Sequence, residues 1–523
     1  MRLKAVLTCA GLLAGVFVAL SPTAAQAAPT RYEAESSPAV CTGTIDSNWS
    51  GYSGSGFCNA NNAIGAGAQF TVNAGAAGTA TVGVRFANGT TTARPADLIV
   101  NGSTVQNVSY EGTATWDTWV TKTLTVTLRS GSNTIQLNPT TANGLPNVDY
   151  IDVEAGTTPP PSGATLYVAP NGRDGATGTQ SDPTTLTSAI TRIAAGGTIY
   201  VRGGTYNFSS TVTIAAGNNG TSSARKKLSA YPGETPILNF SAQSEDSANR
   251  GLALNGSYWH VYGIIVERAG DNGIFVGGSN NIIERTETRF NRDTGLQLSR
   301  IASDTPRDQW PANNLILSAL SHDNADSDGE DADGFAAKLT VGSGNVFRYC
   351  VSRNNIDDGW DLYTKTDTGA IGAVTIEDSL SYNNGTLSNG GQAGNGDRNG
   401  YKLGGEDIAV NHTIRRNIAY RNGKHGFTYN RNPGTMSVSD NVSIDNTERN
   451  FSFDAGTSVF RNNVSCRSGS GTNDRIVGNS DSSNQFWSGS NGSRCSSYSG
   501  TLNWSFASDG RLVVTFGGVP VTP

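Results

Sequence analysis

Apolar and polar residues alternate with a period of two through much of the first third of the chain. Residues 78–86 and 123–128 are two such segments, and each has the pattern of a half-buried strand. Turn pairs such as Asn101-Gly102 and Ser130-Gly131 separate the alternating segments. This pattern predicts a β-sandwich over residues 30–156.

The remainder of the chain, residues 165–523, contains one segment with helical periodicity. A proline near its start and two glycines past its end predict a helix from about Pro183 to Ala195. We expect this helix to cover the N-terminal end of the second domain, where strand edges would otherwise be open. Its apolar stripe consists of Leu186, Ala189, Ile190 and Ile193.

A short repeat follows this helix. Each unit combines a brief apolar strand, an Asn-rich bend, an Asp or Asn, a glycine and a large apolar residue. The repeat glycines are 22, 39, 25, 41 and 26 residues apart, so two steps carry inserted loops, at about residues 301–331 and 363–396. Short strands at such a period predict a solenoid, which we interpret as a right-handed parallel β-helix in an all-β chain. The repeat glycines are Gly273, Gly295, Gly334, Gly359, Gly400 and Gly426.

Composition and charge narrow the class of protein. The 64 glycines among 523 residues fit strands and turns better than helices. The net charge is −6 and no long basic run is present, which argues against a nucleic-acid or membrane partner. Residues 157–164 are rich in Thr, Pro and Ser and are a predicted linker between the sandwich and the solenoid. We expect a monomer.

The N-terminus has the pattern of a signal peptide spanning residues 1–27. Arg2 and Lys4 precede an apolar run, and Ala25-Gln26-Ala27 is a small-residue cleavage site. No later stretch reaches the ~20 apolar residues that a transmembrane helix needs. We therefore expect the mature protein to be secreted and extracellular.

The mature chain keeps five cysteines. Cys41 and Cys58 are close in sequence, as are Cys466 and Cys495, and an oxidising compartment favours a disulfide in each pair. Cys350 remains, inside an apolar run. We interpret it as a buried, unreactive thiol.

Four aspartates and a lysine occupy three neighbouring turns of the repeat. Asp333 precedes one repeat glycine, Asp357, Asp358 and Asp361 surround the next, and Lys402 follows the third. Equivalent positions in successive coils of a parallel β-helix are about 4.8 Å apart, so the five side chains become neighbours. Clustered carboxylates suit calcium, and a lysine made neutral beside a cation is a base. The cluster therefore predicts removal of a proton next to a carboxylate, which cleaves acidic polysaccharides by elimination.

The same residue types have plainer interpretations. Asp and Asn are common at bends, where they form local hydrogen bonds, and a lysine on a turn is often simply solvated. Lys338 and Lys365 in the neighbouring coils are rival bases. Because guanidinium matches a carboxylate in a fork, Arg398, Arg421 and Arg431 are candidates for binding a substrate carboxylate, and we select Arg431.

Residues 332–338, 355–362 and 399–405 read ADGFAAK, NIDDGWDL and NGYKLGG. They resemble the pectate lyases of polysaccharide lyase family nine, and the resemblance extends over most of residues 165 to about 460. It implies that the four aspartates bind calcium and that Lys402 is the Brønsted base. It also implies a polygalacturonate substrate, the acidic backbone of plant cell-wall pectin.

A second resemblance lies in the first domain, in residues 32–35, 51–56 and 147–152. These segments are similar to carbohydrate-binding modules of family thirty-five, with family six as the alternative. The resemblance implies a structural calcium ion held by Glu33, Glu35 and Asp152. It also implies a sugar site in the loops at one edge, although a tryptophan there could equally belong to the core. The candidate sugar-binding residues are Tyr52, Trp116, Asn147 and, less directly, Arg94.

The sequence thus predicts a secreted, calcium-dependent lyase on polygalacturonate with a carbohydrate-binding module. Three alternatives stay open. The substrate could be another uronic-acid polysaccharide such as rhamnogalacturonan. The solenoid could instead carry a glycoside hydrolase, which needs an acid and base pair of carboxylates, or it could bind cell walls without catalysis.

Overall fold

The computed structural model describes residues 29–74, 78–129, 131–155, 163–392 and 394–521. The predicted signal peptide, 1–27, and most of the predicted linker, 157–164, lie outside these ranges. The chain divides into two compact units, Met1–Pro159 and Pro160–Pro523. Among the described residues, no helix is both long and apolar enough to cross a membrane.

The first unit is a sandwich of two antiparallel sheets, as the alternation predicted. Every second side chain enters a shared core, and the Cys41–Cys58 disulfide confirms the first predicted pair. One sheet contains the strands Thr30–Glu33, Gly43–Asp46, Phe57–Ala60, Gly78–Ala87, Val120–Leu128 and Asn147–Ala155. The other contains Val40–Cys41, Ala68–Ala74, Ala96–Val100, Ser103–Val108 and Gly131–Pro139.

The second unit is a parallel β-helix, which confirms the predicted architecture. Each coil contributes one short strand to each of three parallel sheets. The first sheet contains Thr165–Val168, Thr198–Val201, Lys226–Ala230, Trp259–Tyr262, Ile282–Glu284, Leu315–Leu317, Asn345–Arg348, Val374–Glu377, Thr413–Arg415, Ser437–Ser439, Val459–Arg461 and Asn479–Ser480. The second contains Gly204–Asn207, Pro236–Asn239, Ile265–Glu267, Glu287–Arg289, Leu320–His322, Val351–Arg353, Leu380–Tyr382, Ile418–Tyr420, Val442–Ile444 and Val464–Cys466.

We call the third sheet the site sheet, because the predicted catalytic residues lie on it or at its edge. Six of its ten strands begin directly after the repeat glycines. They are Val212–Ile214, Leu252–Leu254, Ile274–Val276, Leu296–Leu298, Phe335–Ala337, Trp360–Asp361, Tyr401–Lys402, Phe427–Thr428, Phe451–Phe453 and Arg475–Ile476.

Asparagine ladders hold the bend between the second sheet and the site sheet. The amide Nδ2 of Asn355 donates to Oδ1 of Asn384 at 3.0 Å, and Asn384 repeats the contact to Asn422 at 3.0 Å. In these coils each buried amide satisfies a polar group of the next coil, which holds the bend in place.

An aromatic stack fills the interior behind the site sheet. The rings of Phe335, Trp360, Tyr401, Phe427 and Phe451 lie on one another with centroids 4.6–5.0 Å apart. All five side chains are buried. Because these rings precede or follow the site aspartates and lysine, their packing fixes the backbone that carries the site.

A short helix covers the N-terminal end of the β-helix, and the C-terminal segment packs against its second sheet. The helix Leu186–Arg192 is shorter than predicted because Ile193 already has extended backbone, and its N-cap Thr185 accepts a hydrogen bond from Ser188 N. The 3₁₀ helix Ser493–Tyr498 and the predicted Cys466–Cys495 disulfide adjoin the last strand of the second sheet. The antiparallel strands Leu502–Phe506, Leu512–Phe516 and Val519–Pro520 instead run back along the outside of the second sheet, where Trp504 Nε1 donates to the hydroxyl of Tyr382 at 2.9 Å and Arg285 donates to the carbonyl of Ser508 at 2.7 Å. A second 3₁₀ helix spans Arg307–Gln309, and Cys350 is buried and free, as predicted.

The two long steps are coils with inserted loops, as predicted, but the loops do not fill the predicted ranges. Residues 301–331 contain the strands Leu315–Leu317 and Leu320–His322, and residues 363–396 contain Val374–Glu377 and Leu380–Tyr382. Strands of three or four residues are too short for their alternation to be recognised in sequence. The extra residues therefore form loops on either side of these strands, and one such loop ends at the site.

Candidate active site

Strand register brings the predicted site residues together on the site sheet. Phe335 pairs with Trp360, and Trp360 pairs with Tyr401. The next residues therefore lie side by side on the outer face, where Asp361 is the direct neighbour of Lys402. A glycine is required just before Trp360, since a Cβ on Gly359 would lie 2.5 Å from the carbonyl oxygen of Gly400.

Three of the predicted ligands form one buried group. One carboxylate oxygen each from Asp333, Asp357 and Asp358 lies within 4.8 Å of the other two. Main-chain amides fix their orientation: Asp358 N donates to Asp333 at 3.2 Å, Arg398 N to Asp357 at 3.0 Å and Asn399 N to Asp358 at 2.5 Å. We call these three residues the acid group.

Burial makes the negative charge of the acid group costly. It is the main reason that the pKa of Asp358 rises to about 6 and that the pKa values of Asp333 and Asp357 lie well above their usual range, with repulsion between the acids adding to it. Oδ2 of Asp358 is buried and accepts no hydrogen bond. The contact of this oxygen is the ion pair with Nζ of Lys402 at 3.3 Å. Three buried carboxylates form a set of hard oxygen donors that is chemically suited to calcium.

Two lysines, rather than one, border the acid group. Nζ of Lys402 lies 3.3 Å from Asp358 and 3.5 Å from Asp361. Nζ of Lys338 donates to Asp333 at 2.8 Å and lies 3.6 Å from Asp361. Asp361 thus sits between two ammonium groups and outside the acid group, so the structure gives it a different environment from the other three aspartates.

The protein's own charges hold Lys402 as an ammonium. Burial lowers the pKa of Lys402, but the surrounding carboxylates, with Asp361 and Asp358 foremost, raise the pKa by more. The expectation that Lys402 is neutral is therefore not met by the chain alone. The added positive charge of a cation at the acid group is what would lower this pKa toward that of a base.

Sequence reasoning missed Asp397 and Lys424. Asp397 lies 3.2 Å from Nζ of Lys402 and accepts a hydrogen bond from Nζ of Lys424 at 2.7 Å. Burial raises the pKa of Asp397, but the two lysines outweigh it and leave the pKa lowered. The only sequence signal was the position of Asp397 three residues before a repeat glycine, at the end of an insertion whose course could not be predicted.

The second rival base, Lys365, and the three candidate arginines lie in different places. Lys365 is exposed at a turn. Arg431 is exposed and forms an ion pair with Asp407. Burial raises the pKa of Tyr363, whose ring centroid lies 5.2 Å from Nζ of Lys402, and the positive charge of Arg431 acts to lower it. Arg421 contacts the ring of Tyr420, which belongs to the second sheet and not to the site sheet. Arg398 packs between Gly385 and Gly423, with its Nε buried.

In the first domain, the structure brings Glu33 close to Asp149 rather than to Asp152. Ser53 joins them, since its hydroxyl donates to Glu33 at 2.7 Å and its amide donates to Asp149 at 3.0 Å. Asp152 instead forms a two-bond pair with Arg31, at 2.9 Å for each bond. Buried Oε2 atoms of Glu33 and Glu35 accept no hydrogen bond, which suits a hard cation.

The predicted sugar-binding residues fall into two places. Trp116 is half-buried, packs against Gly89 and has the guanidinium of Arg94 5.4 Å from its ring centroid. Asn147 is buried at the start of its strand, with 5% of its surface exposed. Tyr52 contacts Phe57 instead, with ring centroids 5.7 Å apart. That Tyr52, Trp116 and Asn147 together form one sugar-binding site therefore stays a prediction.

Fold and site together define a parallel β-helix polysaccharide lyase. The family described as Pel9A-like, right handed beta helix region, matches residues 166–463. The chain belongs to this family, and it is a pectate lyase. It is similar to Pectate lyase L of Paenibacillus polymyxa (strain SC2), with 54% identity over 353 residues that cover 66% of this chain and 78% of the relative. It is also similar to the crystal structure of pectate lyase Pel9A, with a TM-score of 0.55, 30% identity and coverage of 62% of this chain and 80% of that chain.

The first domain matches a second family. The carbohydrate binding module of family 6 matches residues 37–155. A solved structure, CBM35 from Cellvibrio japonicus Abf62, is 45% identical, has a TM-score of 0.22 and covers 23% of this chain and 87% of that chain. The first domain is thus similar to carbohydrate-binding modules of family six.

Proposed function

We propose that this pectate lyase is a secreted, calcium-dependent enzyme that cleaves polygalacturonate by β-elimination, with Lys402 as the base. The observation that carries the proposal is the position of Nζ of Lys402. It lies 3.3 Å from a carboxylate of the acid group, on the outer face of the site sheet. The base and the acid group are then close enough together to act on one sugar unit.

The charge of the site supports a divalent cation. The acid group and Asp361 carry four carboxylates, and Lys338 and Lys402 supply two ammonium groups. Two negative charges remain, which one calcium ion would balance. Asp333, Asp357 and Asp358 would hold the ion, and Asp361 is placed to join them only if it gives up contact with a lysine.

The reaction follows from these groups. A bound calcium ion would withdraw charge from the uronate carboxylate and so acidify the adjacent ring C–H. Lys402 takes that proton, the electron pair of the C–H bond forms the ring C=C bond, and the glycosidic C–O bond breaks. The sugar oxygen leaves with the electron pair of that bond. No water attacks the sugar, so the site needs no second carboxylate as a hydrolase does.

Secretion and wall binding complete the proposal. Residues 1–27 have the pattern of a signal peptide, and two disulfides suit an oxidising compartment. The N-terminal module would hold the enzyme on wall polysaccharide through Tyr52, Trp116 and Asn147. Glu33 and Glu35 would bind the module's own calcium ion, together with Asp149 rather than Asp152.

The test is turnover of polygalacturonate by the purified chain with calcium and with a chelator. We expect an unsaturated product, seen by its ultraviolet absorbance, that disappears on chelation. Lys402→Ala should lose nearly all turnover and keep its circular dichroism spectrum, whereas the exposed control Lys365→Ala should match the wild type. Saturated products would point to the hydrolase, turnover of rhamnogalacturonan alone to another lyase, and no turnover of any uronic polymer to a binding solenoid. Each of these outcomes contradicts the proposal.

A further inference from the structure

Residues 396–399 form a short segment that contacts Asp357 and Asp358 of the acid group and the amine of Lys402. Arg398 N and Asn399 N donate to two members of the acid group, Asp357 and Asp358. Gly396 lies so close that a Cβ there would be 2.7 Å from Oδ1 of Asp357. The backbone on both sides of Asp397 is therefore fixed relative to the acid group.

The two carboxylate oxygens of Asp397 have different lysine partners. Oδ1 accepts a hydrogen bond from Nζ of Lys424 at 2.7 Å, and Oδ2 lies 3.2 Å from Nζ of Lys402. Lys424 is itself fixed, because its backbone N–H donates to the carbonyl of Arg398 at 3.0 Å. A carboxylate that one lysine holds in place presents its second oxygen to the other lysine in a fixed orientation.

Asp397 differs from the other two acids that contact Lys402. The side chains of Asp358 and Asp361 are 0% and 5% exposed, whereas that of Asp397 is 37% exposed. Asp358 belongs to the acid group, and Asp361 is divided between Lys402 and Lys338. Asp397 is thus the partner at the open side of the site, where a polysaccharide must arrive.

We propose that Asp397 is a positioning residue for the lyase reaction. It holds the amine of Lys402 toward the open side of the site, and Lys424 holds Asp397 in place. The inference rests on the proposed function, because it assumes that Lys402 is the base. Without Asp397, the nearest acids to the amine are the buried Asp358 and Asp361, which draw it inward. A displacement of about 1 Å at a reacting group can cost about a hundredfold in rate.

The experiment compares Asp397→Asn, Asp397→Glu and Lys424→Met with wild type and Lys402→Ala in the full chain. The matched control is Asp378→Asn. Asp378 likewise pairs with a cation of the next coil, Arg416 at 2.7 Å, but it follows a strand of the first sheet. The measurements are kcat and KM on polygalacturonate, calcium affinity by calorimetry and the melting temperature.

We expect D397N to lower kcat by about ten- to a hundredfold, with KM and calcium affinity within about twofold of wild type. D397E should recover part of the lost kcat because it keeps the charge, and K424M should fall between wild type and D397N. D378N should match wild type in kcat. If calcium affinity stays constant while kcat falls, the loss comes from the position of Lys402 and not from damage to the acid group.

Two results overturn the inference. One is a D397N kcat within twofold of wild type while K402A is inactive. The other is a loss of kcat that D378N shares, or that calcium affinity follows to the same extent. If K402A itself keeps wild-type turnover, the proposed function fails instead, so the two failures are told apart by one set of variants.

Discussion

Trp360 links the interior of the β-helix to the site. Its side chain is fully buried and stacks between Phe335 and Tyr401, with ring centroids 4.9 and 4.8 Å away. In the chain it stands between Asp358 and Asp361, so a change in its packing moves the backbone of both acids. Replacing Trp360 with alanine therefore tests whether the stack behind the sheet maintains the site in front of it.

The magnitude follows from the contacts. Truncating a buried Trp to Ala costs about 3–5 kcal/mol through lost transfer energy and the cavity left behind. Two lost aromatic contacts add about 0.5–1.5 kcal/mol each. The indole Nε1 is buried without a hydrogen-bond acceptor, so its removal returns about 1–3 kcal/mol. We expect W360A to lower the free energy of unfolding by about 3–6 kcal/mol.

Urea denaturation followed by circular dichroism measures this loss, and calorimetry measures calcium affinity. W360F is the matched control, because phenylalanine keeps the stack and removes the unsatisfied N–H, and it should cost about 1 kcal/mol. W360A should weaken calcium binding and lower kcat, and W360F should do neither. The reasoning is refuted if W360A and W360F unfold alike, or if W360A binds calcium as the wild type does.

Three further predictions concern the charges and the module. Burial raises the pKa of Asp271 to about 7. The folded state therefore keeps a proton that the unfolded chain loses, and stability falls as pH rises from about 4 to 7. In urea denaturation, D271N should raise the free energy of unfolding by about 2–4 kcal/mol at pH 8 and by less at pH 5, and the exposed-site variant D304N should leave it unchanged. Lys338→Met leaves Asp333 buried without its ammonium partner, so the chelated protein should lose about 3–5 kcal/mol while added calcium raises the melting temperature more than in wild type. Trp116→Ala should weaken binding to insoluble wall polysaccharide in a pull-down assay without changing kcat on soluble polygalacturonate.

The β-helix could be predicted because its signal is local. Each coil needs a glycine where the bend meets the next coil, and a large apolar residue just after it to fill the interior. Both recur along the sequence at Gly334-Phe335, Gly359-Trp360 and Gly400-Tyr401. The acid group could be predicted for the same reason, since Asp333 and Asp358 occupy one position of that repeat.

Tertiary structure decided which charges meet. Asp397 reaches Lys402 from the end of an insertion, and no repeat position marks it. In the module, a bulge between Val148 and Tyr150 changes the register of the strand, and Asp149 rather than Asp152 faces the serine that joins it to Glu33. Repeat position fixes where a backbone lies, but an ion pair depends on side-chain direction and on competing partners, and these exist only once the coils have stacked.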